Sequence, residues 1–466
     1  MAASLSRAGS ALVRAARPAF LSLKRNQSAV SYAQTLLGVP ETKVTTLDNG
    51  LRVACEESGQ PTCTVGVWIE AGSRYENESN NGSAFFLEHL AFKGTKKRPQ
   101  PALEQEVETM GAHMNAYTSR ELTAYYMKSL STDLPKVVEI LADVVQNSSL
   151  GNAEVERERE VILREMQEFE TNLQDVVFDY LHATAFQGTP LSRTVLGPTQ
   201  NVKTVTRAEL QEYISHHYKA PRMVLAAAGG VKHNELVNLA KEHFSGVSFE
   251  YEADAIPVLS PCRFTGSEIR VRDDDMPLAH IAIAVEAVAW SNPDIVALMV
   301  ASTLIGNYDV TYGGGKNLSS KLAQVAAENK VCQSFQSFLT CYSDTGLFGL
   351  HFVTDAQNIE DMLHFAQGQW MSLCTSVTDS EVNRAKMALK TNLVGQLDGS
   401  NCSFKKKKKK ATLHFLRKRG GGNLKAISLA IDSPLVKEKK FSFLSGPIEQ
   451  LPDYNRIRSA MYWLRF

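Results

Sequence analysis

Hydrophobic and polar residues follow two different periods along the chain, which predicts both strands and helices. Thr62–Ile69 is almost continuously apolar and Ala124–Leu130 is rich in apolar and aromatic residues, and both stretches are typical of buried strands. From Leu134 to Val145 the apolar residues recur at helical spacing, so we expect an amphipathic helix. The charged stretch Asn152–Asn172 predicts a second, longer helix.

The same order of patterns occurs twice in the chain. Three pairs match at offsets of 216, 222 and 227 residues: Glu70–Ala71 with Glu286–Ala287, Thr123 with Thr345, and Glu154–Val155 with Glu381–Val382. Three matches in one order indicate an internal duplication. We therefore predict an α+β fold of two homologous lobes, about 40–260 and 270–466, joined by a linker near Ile256–Pro261. Each lobe is expected to be a mostly antiparallel sheet with helices packed against it.

Composition restricts the possible functions. The 466 residues include 50 Lys+Arg and 50 Asp+Glu, so no basic excess suggests nucleic acid as a partner. The longest apolar stretch, Ile295–Tyr308, is shorter than the ~18 residues of a membrane helix and predicts a buried core helix instead. The 7 cysteines show no CxxC spacing. This argues against a disulfide framework, a structural zinc cluster or a haem site, and favours a reducing compartment.

The first forty residues have a different character from the rest. No acidic residue precedes Glu41, and five basic residues cluster on one side of a helical wheel with apolar residues opposite. An acid-free, Arg-rich and Ser-bearing amphipathic segment is typical of a mitochondrial transit peptide, which we place at residues 1–32. An ordinary surface helix is the alternative, although surface helices usually carry both charge signs.

Residues 401–445 break the repeated pattern. Phe404 is followed by six lysines, Lys405–Lys410, and then by further basic and glycine residues. One interpretation is a basic, solvated loop that faces anionic lipid. The other, which we favour, is that 401–445 is not the true protein sequence, because an adenine homopolymer encodes lysines and a miscounted homopolymer shifts the reading frame.

A short stretch after residue 82 carries the clearest candidate chemistry. If it is helical, Phe85, Glu88 and His89 lie on one face of one turn. The inverted zinc motif HxxEH needs this face, because its two histidines bind the metal and its glutamate activates a water molecule. A distant glutamate would complete three protein ligands. Glu158 and Glu165 lie two helical turns apart, so one could bind the metal while the other supports it from behind.

Three segments together resemble the pitrilysin-type (M16) metallopeptidases: FFLEHLAFKGT (85–95), GAHMNAYTSRE (111–121) and EREREVILREMQE (156–168). The resemblance extends over about residues 44–399 and again over 446–466. It implies the two-lobed pitrilysin fold. The segment between these two ranges does not fit, so it takes no residue role from the family.

The resemblance implies that Glu88 is the catalytic base, that His89 and Glu165 are zinc ligands, and that Glu158 supports them. The first ligand should be a histidine at position 85, but this chain has Phe85. Phenylalanine has no lone pair for a metal, and its ring beside Glu88 would displace water. We therefore expect a vestigial site without bound zinc, in which Glu88 and His89 need other partners.

The family resemblance also implies a place for an extended peptide. Asn115, Ala116, Tyr117 and Thr118 resemble the edge strand on which such peptidases align a substrate by main-chain pairing. A plain sheet edge explains the same residues equally well.

Two kinds of mitochondrial family member fit these residues. The first, favoured by Phe85, is a non-redox core subunit on the matrix side of the inner membrane, in the respiratory-chain bc1 complex (complex III). It would pair with a homologous core 2 subunit and bind the cytochrome b, cytochrome c1 and Rieske iron–sulfur subunits. The alternative is a zinc endopeptidase that removes mitochondrial presequences, or a residual peptidase in which a partner chain helps to hold the metal.

Overall fold

A computed structural model describes residues 41–251, 260–314, 317–395 and 440–457, except 447, 449, 454 and 455. The predicted transit peptide lies outside the described residues. So do residues 256–259 of the predicted linker and residues 401–439 of the segment of doubtful sequence.

The first half of the chain forms a six-stranded sheet with the order β1-β2-β6-β3-β5-β4. Its strands are β1 (Lys43–Thr46), β2 (Arg52–Glu57), β3 (Thr62–Ile69), β4 (His113–Thr118), β5 (Thr123–Leu130) and β6 (Met223–Gly229). Only β2 and β6 pair in parallel, and the other neighbours are antiparallel. The sheet is therefore mostly antiparallel, and β1 and β4 lie at its two edges.

The second half forms a sheet of the same kind, with the order β7-β12-β8-β11-β10-β9. Its strands are β7 (Glu268–Arg272), β8 (Ala279–Ala287), β9 (Asn307–Asp309), β10 (Ser334–Cys341), β11 (Gly346–Thr354) and β12 (Lys440–Gly446). Again one neighbouring pair, β7 and β12, is parallel. Five consecutive strands of each sheet thus correspond, β2-β6-β3-β5-β4 to β7-β12-β8-β11-β10. The predicted α+β fold with a mostly antiparallel sheet in each half is confirmed.

Strand β12 continues the repeated order of strands at the end of the segment of doubtful sequence, residues 401–445. The sequence pattern shows no counterpart of β6 between 401 and 445, yet Lys440–Gly446 fills that place between β7 and β8. The alternation in Phe441–Ser445 is short and follows a strongly basic run, so the pattern by itself did not reveal it. Its place is determined by pairing with two distant strands.

Helices cover the sheets. Those of the described residues are α1 (Ser83–Leu90), α2 (Gln100–Thr109), α3 (Leu134–Asn147), α4 (Asn152–Thr171), α5 (Leu173–Ala185), α6 (Thr199–Thr204), α7 (Arg207–His217), α8 (His233–His243), α9 (Ile295–Ile305), α10 (Lys321–Asn329), α11 (Ile359–Thr375) and α12 (Asp379–Gly395). The apolar face of α3 lies on β3 and β5, and α8 packs beside β2. In the second half α9 packs on α12 and β10. Each sheet thus has its own large apolar core.

Helix α9 is shorter than the apolar stretch that predicts it. It ends at Ile305 because Gly306, with φ of 72°, turns the chain, and Tyr308 then lies in β9 rather than in the helix. Most of the helix is buried in the second core, as expected. Within the described ranges, no helix combines the length and the apolar content needed to cross a membrane.

Helix α5 links the two halves. Although it follows α4 of the first half, its buried residues Val177 and Leu181 pack with Ala282 and Leu347 of the second sheet. Phe178 also contacts Phe338 of β10 edge to face, with ring centroids 4.8 Å apart. A separate apolar cluster therefore joins α5 to the second sheet.

Candidate functional site

Helix α1, which carries the candidate site, is held at its N-terminus by a residue outside it. The buried carboxylate of Glu76 accepts hydrogen bonds from Asn81 Nδ2 at 2.7 Å, the Gly82 amide at 2.9 Å and the Ala84 amide at 2.7 Å. Gly82 has φ of 106°, a conformation that glycine adopts without strain. These bonds satisfy amides that a helix start leaves unpaired, and the negative charge complements the helix dipole. Burial nevertheless raises the pKa of Glu76 above its ordinary value.

Phe85, Glu88 and His89 lie on one face of α1, as the spacing predicts. Phe85 is 9% exposed, and its ring meets the His89 imidazole edge to face with centroids 4.8 Å apart. The aromatic ring thus occupies the position from which a histidine could reach the same metal as His89. Glu88 is half-buried, and burial raises the pKa of its carboxyl group.

Helix α4 brings two carboxylates to the two sides of His89. Glu165 Oε2 lies 3.1 Å from Nε2, and Glu158 Oε2 lies 3.5 Å from Nδ1. Glu158 is buried and also pairs with Lys93, whose Nζ lies 2.8 Å from its other oxygen. Because the two ring nitrogens point in different directions, Glu158 and Glu165 do not converge on one ion.

This donor set does not fit a catalytic zinc ion. Such a site needs three protein ligands with an open fourth position, whereas here Glu165 approaches His89 Nε2, Glu158 lies on the other ring nitrogen and Phe85 offers no donor. In the part of the chain that the structure describes, no three or more His, Cys, Asp or Glu side chains are arranged to hold a metal ion. The ligand roles assigned from the sequence remain predictions.

Strand β4 lies beside this helix at the edge of the first sheet. It pairs with β5 on one side, and its side chains alternate between exposed (Asn115, Tyr117) and half-buried (Ala116, Thr118). Thr118 lies next to the Glu88 carboxyl. Strand β4 thus borders the Glu88 site through Thr118, and the peptide-binding role of Asn115, Ala116, Tyr117 and Thr118 remains a prediction.

Sequence reasoning missed several residues around the site. Tyr125 and Tyr218 form a buried pair whose hydroxyls lie 2.7 Å apart. Burial raises the pKa of both phenols, and the nearby charge of Glu88 raises it further. Glu76 and Lys93 were also not singled out. Lys93 lies within the segment 85–95, but its partner Glu158 stands on α4, so local spacing gave no signal of this ion pair. Tyr125 and Tyr218 come from distant elements, so no local pattern in the sequence indicated their contact.

The comparisons with known proteins agree with the fold and the motifs. The profile "Insulinase (Peptidase family M16)" matches residues 52–199, and "Peptidase M16 inactive domain" matches residues 204–389. The chain belongs to peptidase family M16, which confirms the family inferred from the motifs.

Proteins with two different names are similar to this chain over almost its whole length. "Cytochrome b-c1 complex subunit 1, mitochondrial" of Bos taurus is 58% identical over 96% of this chain and 95% of its own length. The same-named human protein is 57% identical over 98% of this chain and 97% of its own length. "Mitochondrial-processing peptidase subunit beta" of Bos taurus is 59% identical over 97% of this chain and 93% of its own length. Overall identity therefore does not separate the two names.

Solved structures show the same fold. A chain of "Complex III2 from Candida albicans, Inz-5 bound" superposes with a TM-score of 0.75 at 24% identity, covering 90% of this chain and 100% of that chain. A protease from Helicobacter pylori superposes with a TM-score of 0.78 at 20% identity, covering 88% and 100%. At these identities the likeness concerns the fold alone.

Proposed function

We propose that this chain is a non-catalytic core subunit of the mitochondrial bc1 complex, with a structural and assembly role. The observation that carries the proposal is Phe85, which fills the first ligand position and packs edge to face on His89. A peptidase of this family needs a histidine there, because two protein ligands hold zinc weakly. We accordingly propose that the chain binds no zinc.

The similarity to cytochrome b-c1 complex subunit 1 supports the same proposal and suggests its partners. We propose a homologous core 2 chain as the direct partner, and cytochrome b, cytochrome c1 and the Rieske subunit as the proteins to which the pair is anchored. The place we propose is peripheral, on the matrix side of the inner membrane. A location outside the bilayer is consistent with the absence, among the described residues, of a helix able to span it.

Presequence cleavage is the second candidate, because the similarity to the processing peptidase β subunit is equally high and β4 offers an exposed edge beside Glu88. The family's mechanism would require a zinc-bound water activated by Glu88. His89 and Glu165 alone provide two ligands for that zinc. A residual activity would therefore need a donor from a partner chain.

Metal analysis tests the proposal directly. The full chain, purified in its native complex at neutral pH, should contain far less than one zinc per chain. One tightly retained zinc per chain that survives a weak chelator, together with cleavage of a presequence peptide, would contradict the proposal. A tagged chain should also recover haem proteins of the inner membrane, detected by their reduced b- and c-type absorption bands. Recovery without haem would contradict the assembly role.

A further inference from the structure

Two equivalent turns of the duplicated halves meet in the structure. Ser119–Leu122 connects β4 to β5, and Tyr342–Thr345 connects β10 to β11. Each turn has four residues and closes by a hydrogen bond from its first amide to its last carbonyl, at 2.7 Å and 2.8 Å respectively. The flanking strands hold corresponding places in the two sheets. Glu121 and Asp344 are therefore equivalent acidic residues, each third in its turn.

Arg74 lies between these two carboxylates. Its side chain is 1% exposed, and Nη1 donates to Glu121 Oε1 at 2.7 Å and to Asp344 Oδ1 at 2.8 Å. Nη2 donates to Asp344 Oδ2 at 2.6 Å, so the contact with the second half is bidentate. One buried guanidinium group thus pairs with like charges from both halves.

The backbone of the second turn also binds the first. The Ser343 amide and hydroxyl donate to Glu121 Oε1 at 2.9 Å and 2.6 Å, and Arg74 donates to the Ser343 hydroxyl at 2.9 Å. The Cys262 amide donates to Asp344 Oδ2 at 2.8 Å. These donors stabilise the negative charge that remains when one cation faces two carboxylates.

Arg74 is held firmly against the first turn. Its amide donates to the Arg120 carbonyl at 2.8 Å. Two residues earlier, a Cβ on Gly72 would lie 2.3 Å from the Ser119 carbonyl oxygen, so only glycine permits this approach. The first half therefore fixes the position of Arg74, and the guanidinium group extends from there to the second half.

We propose that Arg74 is a positioning residue that locks the two halves together by joining the equivalent carboxylates of Glu121 and Asp344. Because one cation serves both turns, loosening either turn loosens the other. The first turn continues edge strand β4, whose last residue, Thr118, lies beside Glu88. The lock therefore also determines how β4 lies against α1, independently of the apolar contact that α5 makes.

Hydrogen exchange of the full chain, followed by mass spectrometry, tests the lock. Asp344→Asn removes one of the carboxylate charges, and we expect at least tenfold faster amide exchange (about 1.4 kcal/mol) in 342–345. The same rise should appear in 119–122, which belongs to the other half. Faster exchange confined to 342–345 would overturn the proposal.

A matched control lies within the first half. Arg98 is also buried and pairs with Asp143 of α3 at 2.9 Å. Asp143→Asn should accelerate exchange near Arg98 and leave both turns unchanged. If this control loosened both turns as much as Asp344→Asn does, the effect would be general destabilisation and the lock would be refuted.

Removal of the cation gives a second, independent test. Arg74→Met should accelerate exchange in both turns, and the triple variant Arg74→Met, Glu121→Gln, Asp344→Asn should recover part of the protection, because no unpaired buried carboxylate remains. If the single variant does not fold, the triple variant alone is compared with the wild type, and full wild-type protection of both turns in it would refute the lock. Wild-type exchange in Arg74→Met, or less protection in the triple than in the single variant, would refute the lock.

Discussion

Replacing Phe85 by histidine should convert the vestigial site into a zinc site. Residue 85 lies one helical turn before His89, and its ring already contacts that imidazole with centroids 4.8 Å apart. We expect an imidazole in the same place to reach the position between His89 Nε2 and Glu165, which lie 3.1 Å apart. Three protein ligands would then surround one position, as catalytic zinc requires.

The expected gain follows from the number of ligands. Structural zinc sites with four ligands bind with about 10–16 kcal/mol, which averages to roughly 3 kcal/mol per ligand. One additional ligand should therefore tighten zinc binding about a hundredfold, since about 1.4 kcal/mol corresponds to a factor of ten.

The substitution also has a cost in the absence of metal. Phe85 is 9% exposed, so Phe85→His places a polar ring in a mostly apolar position and loses an aromatic pair worth about 0.5–1.5 kcal/mol. We expect the metal-free variant to be less stable by about 1–3 kcal/mol. Zinc at a hundredfold excess over its dissociation constant should restore about 2.7 kcal/mol.

The assay is zinc titration by competition with a chromophoric chelator at neutral pH, combined with thermal unfolding with and without zinc. Phe86→His is the control for a histidine on the next face of α1, and Phe85→His with Glu165→Gln tests the third ligand. Both should lack the gain. If Phe85→His itself binds zinc no better than the wild type, α1 does not present ligand geometry and the placement of Glu165 is wrong.

Four further results are expected. Glu76→Gln should lower the free energy of unfolding by about 2–4 kcal/mol in denaturant titration, because helix α1 loses a charged acceptor of three hydrogen bonds, and an unchanged midpoint would contradict its capping role. Tyr125→Phe should cost about 1–3 kcal/mol by leaving the Tyr218 hydroxyl unpaired, whereas replacing both should cost less than the sum of the single changes; additive costs would disprove the coupling. Burial lowers the pKa of His351 from 6.5 to about 4, so the stability that depends on its neutral form is present above pH 6.5 and is lost as the pH falls toward 4. In His351→Leu, the loss of unfolding free energy over this pH range should be smaller than in the wild type by about 3 kcal/mol. Parallel stability–pH curves for the two proteins would contradict this. Peptide mass mapping should find no peptide with the six-lysine run of 401–445, and its detection would end the reading-frame hypothesis.

Local pattern predicted the elements because their periodicity depends on near neighbours. The apolar spacing of Leu134–Val145 indicated α3, which the structure extends to Asn147, and the charged run from Asn152 indicated α4, which ends at Thr171. Strand β12 was missed because its place depends on pairing with β7 and β8, far away in the chain.

For the candidate site, the sequence by itself determined that position 85 has no metal donor, because that is a property of the side chain rather than of its surroundings. It also determined, through helical spacing, that Phe85, Glu88 and His89 share one face. Only the tertiary structure decided that Glu165 faces Nε2 and Glu158 faces Nδ1, and that Glu76 caps α1 from outside the helix.

The duplication shows the same division between near and distant contacts. Matched residue pairs revealed two related halves, since repeats are visible in the order of residues alone. The match of Thr123 with Thr345 is nevertheless one residue out of register, because Thr123 begins β5 whereas Gly346 begins β11. That Glu121 and Asp344 would meet on one arginine was not visible, because 223 residues separate them and nothing in either turn specifies its partner. Long-range packing of two sheets brought them together, and the low exposure of Arg74 made the contact strong.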